Sequence, residues 1–285
     1  MVTLQEFASD DPIAWCPGCG NFSILKALKQ ALVELQKKPH EIAIVSGIGQ
    51  APKTPHYLRC NTFNGLHGRT LPVAAGLKLA NHELTVLAEG GDGDGYGEGG
   101  NHFIHAMRRN IDITYLVHNN QVYGLTKGQT SPTSESGFIT KTTPSGSPVP
   151  PMNPLLLAVA CDCSFVARGF AGAIEHLTDL IRQGIRHRGF ALIDILQPCV
   201  SFNRVNTFQW YEERVYPVGE GEYDPGDRTA AFNRAQEWGE RIPIGIIYRR
   251  ERPTLSAQHA AIARQSLVRQ PIDPTGFPGL LEAFQ

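Results

Sequence analysis

Residues 90 to 100 read Gly-Gly-Asp-Gly-Asp-Gly-Tyr-Gly-Glu-Gly-Gly, and a stretch with so few side chains is neither core strand nor ordinary helix. It is a turn in which backbone must come close to something. An apolar run, Leu84 to Ala88, precedes it, and Asn101 to Arg109 follows with a helical pattern. Strand, glycine turn and helix in that order form the corner at which α/β sheets bind phosphates. Free N–H groups and the positive end of the helix dipole both face the carboxyl end of the strand there.

The rest of the chain keeps the same rhythm. Phe22, Leu25, Leu28, Leu32 and Leu35 make a helical stripe stopped near Pro39, and Ile42 to Val45 is an apolar run of the kind that buried parallel strands show. Helix near Leu71 to Leu79, strand Ile113 to Val117, helix Ala171 to Gly184 and strand Phe190 to Leu196 continue it. The expected class is therefore α/β, with a mostly parallel sheet flanked by helices. Gln121 to Pro154 is long and rich in Gly, Ser, Thr and Pro, and is read as a loop covering a site. After Ser201 the pattern weakens. With 26 basic and 27 acidic residues and no long run of one sign, neither nucleic acid nor an anionic membrane is an expected partner. No apolar stretch is long enough to span a membrane, and no signal-like segment opens the chain, so a cytoplasmic location is expected.

Gly95, Gly97 and Gly100 formally satisfy a dinucleotide-binding pattern, but Asp92 and Asp94 would repel a bare pyrophosphate. A divalent cation removes the conflict, because Mg²⁺ joins carboxylate to phosphate oxygens and accepts amide or carbonyl oxygens as well. Asn120 ends the next strand, one βαβ unit beyond Asp92, so the two side chains should meet at one sheet edge.

Gly91-Asp92-Gly93 followed by Asn119-Asn120 resembles the thiamine-diphosphate and Mg²⁺ motif of thiamine-dependent enzymes. The wider text is similar to one branch, the β subunits of 2-oxoacid:ferredoxin oxidoreductases. It includes Trp15-Cys16-Pro17-Gly18-Cys19-Gly20, Ser46-Gly47-Ile48-Gly49, His67-Gly68-Arg69 and Tyr123 to Thr133, and the likeness runs over residues 12 to 218. The resemblance implies a thiamine-diphosphate-binding fold over 1–218, including the N-terminal cysteine motif, with 219–285 as a C-terminal peripheral arm. It implies Asp92, Asn120 and the Val122 carbonyl as Mg²⁺ ligands. It implies Ile48, Gly49, His67, Gly91, Asp92, Gly93, Asp94, Asn120, Leu125 and Thr126 as cofactor-binding residues.

Cys16 and Cys19 alone fit zinc, a redox pair or an iron-sulfur cluster. The resemblance implies a [4Fe-4S] cluster held by that pair, by Cys199 and by a further cysteine after the first strand, where this chain has Gln50. Cys60 could supply the missing thiolate if its loop folds back. Otherwise the cluster has another ligand, is a three-iron form, or is absent. Cys161 and Cys163, outside this pattern, read as inert thiols near a helix end.

His67 and Lys127 are the catalytic candidates, with His102 a weaker one. Lys127 follows the Mg²⁺ site closely enough to meet a second substrate carboxylate, and Lys53 could converge on it, which would favour 2-oxoglutarate over pyruvate. The implied reaction is oxidative decarboxylation of a 2-oxoacid to acyl-CoA and CO₂, with electrons passed to ferredoxin. Its implied partners are an α subunit, which supplies the glutamate that activates the cofactor, together with ferredoxin, CoA and the 2-oxoacid. A non-oxidative thiamine-dependent decarboxylase subunit and a non-catalytic interaction subunit are the rival readings.

Overall fold

Ile42–Ser46 is buried at every position and forms strand β1, as a continuous apolar run covered on both faces should. Before it, helix α1 (Gly20–Glu34) buries Ile24, Leu25, Leu28, Ala31 and Leu32, a stripe at three- and four-residue spacing. The structure, a computed structural model, describes residues 1–219, 223–271 and 274–284. Strand β2 (Asn61–Asn64) lies beside β1 as an exposed edge. There follow α2 (Thr70–Ala80), β3 (Thr85–Gly91), α3 (Gly100–Arg109) and β4 (Ile113–Asn119). A short ribbon of β5 (Val122–Tyr123) and β6 (Gln129–Thr130) then leaves the sheet. The chain returns through α4 (Pro154–Ala160), β7 (Phe165–Phe170), α5 (Ile174–Arg186) and β8 (Phe190–Leu196). It ends the sheet with α6 (Phe208–Glu212), β9 (Val215–Pro217), α7 (Arg228–Gln236) and β10 (Ile242–Arg249).

The strands lie in the order β2-β1-β3-β4-β8-β7-β10-β9. All neighbours are parallel except β10 against β7. Alternate residues of the central strands feed two apolar layers. Ile44, Leu116 and Ile193 pack with Leu28 of α1 on one face. Val45, Val117 and Leu192 pack with Phe103 of α3 on the other.

The mostly parallel α/β sheet matches the expected class, with two differences in the second half. Strand β7 was not anticipated, because Arg168 and Gly169 interrupt its apolar pattern. Arg168 is nevertheless buried, beside the buried carboxylate of Asp194 on β8, which opposes the loss of its charge. Strand β10 lies beyond the boundary expected at residue 218, yet it is a member of the sheet. Pro243 and Gly245 hide it in the sequence, and its pairing with β7 shifts register between Ile246 and Tyr248. Among the described residues no helix is long and apolar enough to cross a membrane.

Candidate cofactor site

Parallel strands bring their carboxyl ends to one edge. Ser46 of β1 pairs with Glu89 of β3, Gly91 of β3 with His118 of β4, and Asn119 of β4 with Leu196 of β8. The segments that leave these tips enclose a cleft with about 530 Å³ of empty space. Ile48, Gly49, His67, Gly91, Asp92, Gly93, Asp94, Asn120, Val122, Leu125 and Thr126 line it together with Gln50 and Tyr123. Every residue expected to hold the cofactor or its Mg²⁺ thus stands on one wall or another of a single cleft.

Asp92 is buried, and its Oδ2 accepts from Thr133 Oγ1 at 2.7 Å and from the Ser131 hydroxyl. Burial pushes its carboxyl up to about 6 against those hydrogen bonds. Asp92 makes no ion pair with a basic side chain among the described residues, so only hydrogen bonds balance its buried charge. Asn120 donates from Nδ2 to Gln197 Oε1 at 2.9 Å, while its Oδ1 accepts from the Val122 N–H at 3.1 Å. A buried carboxylate, an oriented amide oxygen and backbone carbonyls are the hard oxygen donors that Mg²⁺ takes.

The neighbouring Asn119 does something else. Its Nδ2 donates to the Asp194 carboxylate at 3.2 and 3.3 Å, and its Oδ1 lies 2.9 Å from Thr133 Oγ1. Only the second asparagine of the pair reaches the cleft.

Asp94 is the structural knot of the site. Its Oδ1 accepts from the N–H groups of Ile48 at 3.0 Å and Gly68 at 2.8 Å, and lies 2.9 Å from His67 Nδ1; its Oδ2 accepts from Thr70 Oγ1 at 3.0 Å. Expected as a cofactor-binding residue, Asp94 here fixes the loop after β1 against the turn before α2. His67 Nε2 also lies 3.1 Å from Glu98 Oε2, so both ring nitrogens are held by carboxylates. The turn itself is a π-helical one, Gly93–Glu98. Side chains would not fit in it: a Cβ at Gly93 would lie 2.3 Å from Tyr123 Cε1, and one at Gly95 2.0 Å from the Tyr115 hydroxyl.

A second, smaller cavity adjoins the first. Cys16, Cys19 and Cys199 line it together with Trp15, Asn21, Gln50 and Asn120. The three thiols come from the segment before α1 and from the exit of β8, which Gly20 N–H ties together by donating to Pro198 O at 3.3 Å. Burial pushes the Cys19 thiol up to about 11, with the nearby Cys199 and Cys16 adding to the effect. Among the described residues no group of three or more His, Cys, Asp or Glu side chains is placed to hold a metal ion. Cys60 is not on the wall; its thiol donates to Asn61 O at 3.4 Å. Gln50, where the resemblance places a further cysteine, lines the same cavity as the three thiols.

Lys127 is exposed at the tip of the β5–β6 ribbon, one residue past the cleft wall, with a left-handed φ of 80°. Lys53 lies in the turn after β1 and does not line the cleft. The Nε2 of His102 stands against the Arg69 guanidinium, away from the cleft wall. Cys163 is buried and donates to Phe165 O at 3.3 Å, just beyond the end of α4. The Gln121 to Pro154 segment begins as the ribbon on the cleft wall and then supplies Ser131 and Thr133 to Asp92. Those two hydroxyls, Thr70 and Gln197 are site residues that sequence reasoning left without a role. Ser131 and Thr133 stood in the Tyr123 to Thr133 text, but only the folded ribbon shows which carboxylate they reach.

A model of the "Thiamine pyrophosphate enzyme, C-terminal TPP binding domain" matches residues 45–195. A second, for the C terminal of the pyruvate ferredoxin oxidoreductase beta subunit, matches residues 199–264. The chain is 44% identical over 269 residues to the 2-oxoacid:ferredoxin oxidoreductase subunit beta of Saccharolobus solfataricus, covering 90% of this chain and 88% of that one. It is 45% identical over 223 residues to the 2-oxoglutarate oxidoreductase subunit KorB of Mycobacterium tuberculosis, covering 76% of this chain and 60% of that one. Among solved structures, a 2-oxoglutarate:ferredoxin oxidoreductase from Magnetococcus marinus, with 2-oxoglutarate, coenzyme A and succinyl-CoA bound, superposes with a TM-score of 0.91. That match has 37% identity and covers 98% of this chain and 96% of the other. With the thiamine motif on one cleft and the cysteine motif beside it, this chain belongs to the β subunits of the 2-oxoacid:ferredoxin oxidoreductases.

Proposed function

We propose that this chain binds thiamine diphosphate and Mg²⁺ at the carboxyl edge of its sheet. With an α partner it would decarboxylate a 2-oxoacid, 2-oxoglutarate in preference, to acyl-CoA. The observation that carries the reading is the single cleft on which Asp92, Asn120 and Val122 meet the Ile48–Gly49 loop and the β5–β6 ribbon. When bound, the thiamine supplies the carbon nucleophile for the 2-oxo carbon. This chain's part is placement. Asp92, Asn120 and the Val122 carbonyl would hold the metal, and Ser131 and Thr133 orient Asp92 for it. Asp94 holds the Ile48 loop and His67 on the wall of the cleft that would take the cofactor. Lys127 would meet the distal carboxylate of the substrate from the ribbon tip.

The adjoining cysteine cavity supports an iron-sulfur cluster as the first electron acceptor, with ferredoxin the next. Its three thiols lie one wall away from the cofactor cleft, since Gln50 and Asn120 line both cavities. The names of the relatives, which include 2-oxoacid and 2-oxoglutarate oxidoreductases, support both the substrate class and an α partner. The deciding measurement is thiamine-diphosphate binding by the purified αβ complex, titrated calorimetrically with Mg²⁺. Asp92→Ala should weaken it by roughly 100-fold and abolish 2-oxoglutarate-dependent dye reduction. Unchanged binding in that variant would remove Asp92 from the site and the reading with it.

A further inference from the structure

The side-chain oxygen Oε1 of Gln50 is buried and has no hydrogen-bond partner. Such an atom costs free energy unless something absent from the chain satisfies it. Gln50 lines the cavity of Cys16, Cys19 and Cys199, and its backbone is held there because its own carbonyl accepts from Trp15 Nε1 at 2.7 Å. Asn21 Nδ2, on the same wall, is likewise buried and unpartnered. A cubane cluster needs a ligand for each of its irons, usually thiolate. The cavity offers three thiols and the amides of Asn21, Gln50 and Asn120; the oxygens of Asn21 and Asn120 are engaged with His118 and the Val122 N–H, which leaves Gln50 Oε1 as the amide oxygen without a partner. Cys60 does not supply the missing thiolate, being turned to Asn61 O outside the cavity.

We propose that the cluster is held by Cys16, Cys19 and Cys199 alone, with the Gln50 amide oxygen at its fourth corner, so that one iron exchanges with solution. The inference rests on the cluster reading above. A hard, uncharged oxygen is a weaker partner for cluster iron than a thiolate. The exchange balances without an electron: a [4Fe-4S] cluster of charge 2+ releases Fe²⁺ and leaves a neutral three-iron, four-sulfide cluster, and added Fe²⁺ reverses the step. Gln50 also lines the cofactor cleft.

The test uses the αβ complex purified without oxygen. Iron, sulfide and thiamine diphosphate are assayed before and after incubation with EDTA, and the cluster form is followed by EPR and Mössbauer spectroscopy. The expected result is loss of one iron per cluster with all sulfide retained, its return on adding Fe²⁺, and loss roughly tenfold slower in Gln50→Cys. Should that variant fail to assemble, Gln50→Ala keeps the backbone contact to Trp15 and is expected to lose the iron faster than wild type. Wild-type iron as firmly held as in Gln50→Cys, or a rate of loss unchanged in Gln50→Ala, overturns the inference. A complex that carries thiamine diphosphate but no iron overturns it too while leaving the thiamine site standing, whereas one that binds neither overturns the proposed function.

Discussion

Asn119 and Asn120 are adjacent and identical in chemistry, yet one is spent inside the protein on Asp194 and the other reaches the cleft. The alternation of a strand sends successive side chains to opposite faces, and β4 ends between them. Residue type announced a polar strand end, and only the register assigns the roles. Lys127 is the converse case, a residue whose role depends on reach. It stands exposed at a hairpin tip, with Gly128 behind it packed close to Phe202. Lys127→Ala is expected to raise KM for 2-oxoglutarate by roughly tenfold, the equivalent of about 1.4 kcal/mol, and to leave KM for pyruvate within twofold. Steady-state kinetics of the assembled enzyme on both substrates will show it. Equal changes on both would take Lys127 out of substrate recognition. Most of the site was legible because its residues sit in short motifs at strand ends. Ser131 and Thr133 were not, since a hydroxyl acquires its partner only when the loop carrying it folds back.

At the scale of elements, β1, β3, β4 and β8 were readable because each carries a short apolar run, residues 42–45, 86–88, 115–117 and 190–193, the mark of a strand buried on both faces. Strands β7 and β10 were obscured by a buried arginine in one case and by proline and glycine in the other. The junction of α5 with β8 shows how such hidden polarity acts on stability. His187 closes α5 with its N–H on Gln183 O at 3.0 Å, and its Nε2 lies 2.8 Å from Ser164 Oγ. Burial, reinforced by Arg249 and opposed by Asp112, lowers its pKa to about 4. The folded value is below the ordinary one near 6.5, so the unfolded chain takes up the proton first. The neutral ring's contribution is complete above pH 6.5 and is lost as pH falls toward 4. Discounted for screening, about 1–3 kcal/mol is expected at the low end. Urea unfolding of the wild-type chain should lose that much more stability between pH 7 and pH 4 than His187→Gln. Parallel losses would put the acid sensitivity elsewhere.

As a whole, the molecule keeps its functional groups on one rim and shows apolar side chains there. Ile48 and Leu125 on the cofactor cleft and Val200 and Phe202 on the cysteine cavity are 36% to 45% exposed, and Leu66, beside His67, is 74% exposed. Apolar groups gathered around two openings are a surface for a partner to cover. Leu66→Asp should leave the stability of the isolated chain within about 0.5 kcal/mol but weaken its association with the α subunit by roughly tenfold or more. Analytical ultracentrifugation of mixtures would measure the loss, and undiminished assembly would move the interface away from this rim. The shared rim also limits how such a chain can diverge. Adding one residue to β1, β3, β4 or β8 would turn its tip through half a rotation and aim the wrong side chain inward. Change is then confined to swaps of chemistry at a constant count. Growth in length is tolerable only out past the ribbon, where no tip has to be kept in phase.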